Sequence, residues 1–216
     1  MLMLTRAEAG RRLAQGLGAL VSEVPLVAAI SPGGVRVASE IARALDAPLD
    51  VVAGYRLEVP GRDHSLFGAV ADGSTILLPE RIRALDLPED YVNGLVALAR
   101  QEVEHDARAW RGGAVPLVAA GRTVVLVDDG LSDAILVAAA ARALAEQRPR
   151  RMLYAAPLAT PELLAALQPY CEEHCLLFEA HEPVQVVICD TQFEQTTCLE
   201  VGALVRRSRA TIAAVS

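Results

Sequence analysis

Short apolar runs alternate with helical patterns along almost the whole chain. Leu26–Ile30 (LVAAI) and Val124–Val127 (VVLV) are continuous apolar stretches, the kind that a parallel strand buried on both faces requires. Further strands are predicted at Leu49–Ala53, Arg151–Ala156 and Cys175–Phe178. Between them, helical periodicity covers Thr5–Leu20, Val35–Leu45, Pro88 to about Trp110, Ala134–Ala145 and Pro161–Leu167. Thr5 with Glu8, and Thr197 with Glu200, have the spacing of capping boxes; the second opens a last helix to about Arg207. Gly112-Gly113 is a C-cap pair for the long helix. Ser31-Pro32-Gly33-Gly34 reads as a turn, and polar Glu58–Ser65 with Pro60-Gly61 as a loop or hairpin tip. Phe67–Val70 and Ser74–Leu78 pair as antiparallel strands across Ala71-Asp72-Gly73.

This βαβα order predicts an α/β fold, a parallel sheet wrapped by helices on both faces. The 216 residues fit one domain, 1–216. Two stretches interrupt the alternation: an inserted loop at about 57–75 and a segment at about 180–196. Both are candidates for lid and hood elements over the carboxyl edge of the sheet.

Composition narrows the function classes. Hydrophobic residues make up 53% of the chain and aromatics only 4%, so the core is ordered and built from Ala, Val and Leu. A net charge of −7 argues against non-specific nucleic-acid binding, which needs a basic footprint. No apolar run approaches the roughly 20 residues of a membrane span, and MLMLTRAEAGRRL lacks the apolar core of a signal peptide. A cytoplasmic protein is expected. Cys171, Cys175, Cys189 and Cys198 do not have zinc-framework spacing, although Cys171 and Cys175 stand one helical turn apart with His174 between and His181 nearby; they are read as structural thiols.

The chemistry concentrates at Thr123–Leu136 (TVVLVDDGLSDAIL), where an apolar strand runs into Asp128-Asp129-Gly130 and then a helix. In open α/β sheets ligands bind at the carboxyl ends of the strands, where helix N-termini offer free N–H groups. Two carboxylates there suit a ribose diol or a hydrated Mg²⁺; equally, they suit capping of the following helix. On the long helix, Glu102 and Asp106 share a face beside His105, which suits a metal, but Arg100 and Arg108 alongside mark a solvated face.

The strand ending in Asp128-Asp129-Gly130-Leu131 resembles the signature of type I phosphoribosyltransferases. The resemblance is to a bacterial branch whose first strand is followed by Pro-Arg-Gly-Gly-Val, which here reads Ser31-Pro32-Gly33-Gly34-Val35. It continues through VASEIARAL and Asp46-Ala47-Pro48-Leu49-Asp50-Val51-Val52, and at Gly68-Ala69-Val70, Trp110-Arg111-Gly112-Gly113 and Phe193-Glu194-Gln195-Thr196. It implies a parallel-sheet, Rossmann-like type I phosphoribosyltransferase fold with a small hood. It also implies binding of phosphoribosyl pyrophosphate with Mg²⁺ on Asp128 and Asp129, and exchange of pyrophosphate for a nitrogenous base. Catalytic roles then fall to Asp128, Asp129 and Arg56, and substrate contacts to Gly33, Gly34, Gly130, Leu131, Ser132, Asp133, Ala134 and Arg62.

Four subsites depart from that pattern. The family's Ala-Thr-Gly-Ala-Thr phosphate cradle becomes Ser132-Asp133-Ala134-Ile135-Leu136, which loses two hydroxyls and a glycine and gains a carboxylate. Like charges about 4 Å apart repel by about 4 kcal/mol at an effective dielectric near 20, roughly three decades of affinity. In the pyrophosphate turn Pro32 replaces arginine and removes both a charge and an N–H. After the second strand, Arg-Lys becomes Tyr55-Arg56, and the mobile loop tip becomes Gly61-Arg62-Asp63-His64. The hood stretch Val184–Asp190 (VQVVICD) offers no aromatic ring to stack on a base.

Loss at all four favours a family member with a degenerate donor site, retained for binding or regulation. The alternatives are an active transferase with an atypical donor site using Mg²⁺, and a different activity on a sugar or nucleoside lacking a 5′-phosphate. A ribose-phosphate type ligand and a homodimer are compatible with the sequence; nucleic-acid and membrane partners are not expected.

Overall fold

The computed structural model describes residues 2–179, 186–188 and 197–213. In chain order the elements are β1 (Leu2–Leu4), α1 (Arg6–Gly16), a 3-10 turn (Gly18–Glu23), β2 (Leu26–Ile30), α2 (Ser31–Ala44), β3 (Leu49–Val52), β4 (Gly54–Leu57), β5 (Gly68–Ala71) and β6 (Ser74–Leu77). There follow α3 (Pro79–Ala84), α4 (Glu89–Trp110), β7 (Thr123–Val127), α5 (Ala134–Ala145), β8 (Arg151–Ala159), α6 (Pro161–Leu167), β9 (Glu173–Glu179), β10 (Val186–Ile188) and α7 (Cys198–Ala213).

The main sheet has five strands in the order β3-β2-β7-β8-β9, each pairing parallel. The central strands β2 and β7 are buried at every position, as their unbroken apolar runs predict. Their side chains alternate between two cores. Val27, Ala29, Val125 and Val127 join the helices α1, α2, α4 and α7 on one face. Leu26, Ala28, Ile30, Val124 and Leu126 join α5 and α6 on the other. Tyr154 of β8 is fully buried on this second face. Pro157 falls in β8 beyond Ala155, where pairing with β7 has ended, so its missing N–H leaves no gap in that ladder.

A second, antiparallel sheet, β4-β5-β6, follows β3. The β5–β6 turn places Asp72 (φ 38) and Gly73 (φ 97) in the left-handed region, the two-residue geometry that Asp-Gly favours. Tight pairing of β5 with β6 agrees with the antiparallel reading, and β4 is an addition to it. A third pairing joins β1 to β10 in parallel, Leu2 with Val186 through Leu4 with Ile188. Apart from β10, the expected hood at 180–196 lies outside the described residues, as do Cys189 and His181.

Local chemistry shifts several boundaries. The first helix stops at Gly16 rather than Leu20, because two glycines flank Leu17 and the chain tightens into the 3-10 turn. Ser31-Pro32-Gly33-Gly34, read as a turn before the helix, is the first turn of α2 itself, with Pro32 where a preset φ helps and a missing N–H costs nothing. The Thr197–Glu200 box forms: Glu200 N–H donates to Thr197 Oγ1 (3.3 Å) and Thr197 N–H to Glu200 Oε2 (2.9 Å). At Thr5 only half forms, Glu8 N–H donating to Thr5 Oγ1 (3.1 Å) while the Glu8 side chain turns to Arg12. Cys171 is buried on the α5–α6 face, whereas Cys175 sits in β9 against the opposite core. Among the described residues no group of three or more acidic, histidine or cysteine side chains is placed to hold a metal, and no helix is long and apolar enough to cross a membrane.

Candidate functional site

β7 delivers Asp128 and Asp129 to the carboxyl edge of the sheet, between β2 and β8 and against the first turn of α2. Both are buried, Asp128 completely. The close approach explains Gly33: a Cβ there would stand 2.1 Å from Asp129 Oδ2. At Gly34 a Cβ would meet the Val127 carbonyl oxygen at 3.1 Å. These glycines make room for the acid pair rather than shaping a turn. Gly130 does turn the chain, at φ 82, where an L side chain would be strained.

Each of the carboxylate oxygens already has a donor. Asp128 Oδ1 accepts from Ser132 Oγ at 2.6 Å, and Oδ2 accepts from Gly130 N–H at 2.9 Å. Asp129 Oδ1 accepts from Leu131 N–H at 3.2 Å. Asp129 Oδ2 accepts from Arg6 twice, from Nε at 3.0 Å and from Nη2 at 2.9 Å. Tyr154 contributes a hydroxyl 3.5 Å from Asp128 Oδ2. Burial, and then the neighbouring Asp129 charge, push the Asp128 carboxyl up to about 6, against the opposing pull of the Ser132 hydroxyl and nearby backbone N–H groups. The same burial, followed by the charges of Asp128 and Asp129, pushes the Tyr154 phenol well above its ordinary value, so it stays a neutral donor.

This arrangement does not fit a hydrated divalent ion as it stands. The Gly130 and Leu131 N–H groups close on the acid pair, each bonding the carboxylate two residues before it. Positive charge at Asp129 comes from Arg6 and from the N-terminal end of α2.

Asp133 is the N-cap residue of α5, but its side chain makes no cap bond. It reaches Arg56 of β4, Nη1 to Oδ2 at 2.8 Å, with both side chains roughly half exposed. The negative charge that Asp133 brings to the loop is thus bridged by a cation, Arg56. Ala134 opens α5 behind it. Tyr55, where the family pattern has a positive charge, donates its hydroxyl to Asp106 of α4 at 2.6 Å, and burial with that bond pushes its phenol up to about 12. Asp106 is thus a hydrogen-bond partner of β4, and no metal cluster forms around it among the described residues. Arg62 lies in the loop between β4 and β5 and donates to the Leu85 carbonyl at 3.4 Å, apart from the acid-pair contacts.

Of the residues singled out in the sequence, Gly33, Gly34, Asp128, Asp129, Gly130, Leu131 and Ser132 form one constellation, and Asp133, Ala134 and Arg56 adjoin it. Two members were missed. Arg6 is 123 residues from Asp129, and nothing in the local pattern links them. Tyr154 did leave a signal: a hydroxyl-bearing ring inside an apolar strand run needs a buried partner.

No protein-family model matches the chain. Two curated Mycobacterium tuberculosis relatives, from strains CDC 1551 and H37Rv, carry the name "Putative phosphoribosyl transferase" and are each 31% identical over 169 residues. That match takes in 78% of this chain but only 38% of theirs, so the chain spans well under half the length of these relatives. The crystal structure of TT1426 from Thermus thermophilus is similar end to end: 31% identity, TM-score 0.76, 96% of this chain and 99% of that one. Whole-chain likeness in sequence and fold, joined to relatives bearing the family name and to an acid pair at the end of β7, places the chain as a divergent member of the type I phosphoribosyltransferase family.

Proposed function

We propose that this chain keeps the family fold with a degenerate phosphoribosyl pyrophosphate site, and serves as a binding or regulatory protein rather than as an ordinary phosphoribosyltransferase. One observation carries the reading: all four oxygens of Asp128 and Asp129 already accept hydrogen bonds from the chain's own Ser132, Gly130, Leu131 and Arg6 groups, which a ribose diol or a hydrated ion would have to displace. Reversing that would unmake several hydrogen bonds to buried carboxylates, which cost about 1.5–3 kcal/mol each. Asp133 repulsion is the weaker support, because Arg56 offsets it.

That same Arg56–Asp133 pair favours a second reading. Exposed ion pairs contribute only about 0–1 kcal/mol. Arg56 can leave Asp133 for a phosphate at little cost, as an active transferase with an atypical donor site requires. Titration calorimetry with phosphoribosyl pyrophosphate and Mg²⁺ separates the two. Absence of binding supports the degenerate site; micromolar binding abolished by Arg56→Ala supports the transferase. A ribose-phosphate type ligand, a homodimer, and Mg²⁺ in an active form all belong to this proposal. So do the assigned roles of Asp128, Asp129 and Arg56, a place in nucleotide metabolism and a cytoplasmic location.

A further inference from the structure

Arg6 supplies a charge that the linear pattern gave no reason to expect. It follows directly on β1 and the Thr5 N-cap, so the β1–β10 pairing and the start of α1 together fix where it enters. Its guanidinium makes two hydrogen bonds to a single oxygen, Asp129 Oδ2, with side-chain exposures of 18% for Arg6 and 6% for Asp129. A Cβ at Gly33 would lie 2.1 Å from that oxygen and 3.3 Å from Arg6 Nε. Three elements are therefore shaped around one buried ion pair: α1 brings the cation, β7 the anion, and α2 the glycine that admits both.

We propose that Arg6 is the resident cation of the acid pair, standing where a divalent ion would bind, and that this edge of the sheet therefore takes its ligand without a metal. The chemistry of the donors supports this. A carboxylate oxygen that ligates Mg²⁺ must present a lone pair toward a water-lined octahedron, since Mg²⁺ keeps several of its waters. Here one acid oxygen faces a guanidinium, and the other three face a hydroxyl and two N–H groups. A guanidinium also cannot be deprotonated at any physiological pH, so its charge, unlike a bound metal, is present in every molecule. Ligands that reach proteins as metal chelates, di- and triphosphates above all, are then disfavoured relative to uncharged polyols or monoanions.

The test uses Mn²⁺ alone, which keeps it independent of the degenerate-site reading probed by phosphoribosyl pyrophosphate. Free Mn²⁺ is followed by electron paramagnetic resonance in titrations of the wild type, Arg6→Gln, and Arg6→Gln/Asp129→Asn, with thermal melts in parallel. The wild type is expected to show no saturable binding and no Mn²⁺-dependent rise in Tm. Arg6→Gln is expected to bind about tenfold more tightly or better and to melt several degrees higher with Mn²⁺, and the double variant is expected to lose both gains. Wild-type binding equal to that of Arg6→Gln, absence of a gain in Arg6→Gln, or a gain that survives Asp129→Asn overturns the proposal. Should Arg6→Gln fail to fold, the wild type decides: saturable Mn²⁺ binding that Asp129→Asn abolishes refutes a resident arginine, and its absence upholds it.

Discussion

Ser132 Oγ donates to Asp128 Oδ1 across 2.6 Å, so the one hydroxyl on this loop is turned toward a buried acid. Ser132→Ala is expected to lower the unfolding free energy by about 1–2 kcal/mol, because the carboxylate loses a charge-assisted donor. Urea denaturation measures it. A loss under about 0.5 kcal/mol would show the hydroxyl available to a ligand.

The pH dependence of stability follows from Asp128. Its value of about 6 in the folded protein lies above the ordinary carboxylate value, so folding favours the protonated acid. That contribution is complete below about pH 4 and is lost as pH rises through about 6. Asp128→Asn cannot ionise, and its amide can donate to Ser132 Oγ while its carbonyl accepts from Gly130. The variant should therefore gain roughly 1–3 kcal/mol over the wild type between about pH 4.5 and 7.5. A stability difference that stays flat across this range would rule out Asp128 as the titrating group.

Rebuilding the phosphate cradle has a structural limit. Leu136 occupies the position of a family threonine, yet it is buried in the α5 core, its Cδ1 lying 2.7 Å from where a Cβ on Gly54 would be. Leu136→Thr is expected to cost about 2–3 kcal/mol, measured by denaturation, through lost apolar contacts and a buried hydroxyl. Asp133→Thr with Ala134→Gly avoids that cost. Calorimetry should show this pair of changes strengthening phosphoribosyl pyrophosphate binding by less than about tenfold. A larger gain would mean that Asp133 governs the site in spite of Arg56.

Gly33→Ala places a methyl group on Asp129 Oδ2. The expected result is a loss of about 3 kcal/mol or more, because the buried ion pair with Arg6 must open. Gly61→Ala serves as a contrast. It adds a methyl in open space, with only the cost of a positive φ, and should lose about 1 kcal/mol. Equal losses would contradict the packing role assigned to Gly33.

Periodicity made much of the fold legible. Strand Leu26–Ile30 and helices Ala134–Ala145 and Pro161–Leu167 match their sequence-based limits, because long apolar faces leave little freedom in placing them. β4 and α3 were invisible, since Gly-Tyr-Arg-Leu and Pro-Glu-Arg-Ile-Arg-Ala carry too few apolar positions to show a period. At the site the acids, glycines and Ser132 were legible as a motif on one loop. Arg56 was legible as a site residue but its pairing with Asp133 was not, and Arg6 was not legible at all, because sequence separation hides an ion pair that only the tertiary fold creates.

The parallel pairing of Leu2 with Val186 joins segments that lie far apart in the sequence. Local hairpins such as β5–β6 close early and cheaply, whereas this ribbon must bring together segments from near the two ends of the described chain, at the larger entropy of a long loop. Arg6 is anchored next to that ribbon, and Asp129 follows the central strand β7. The Arg6–Asp129 ion pair itself spans 123 residues of sequence, so forming it carries a loop-closure entropy that the local contacts of Ser132 and Gly130 to Asp128 do not.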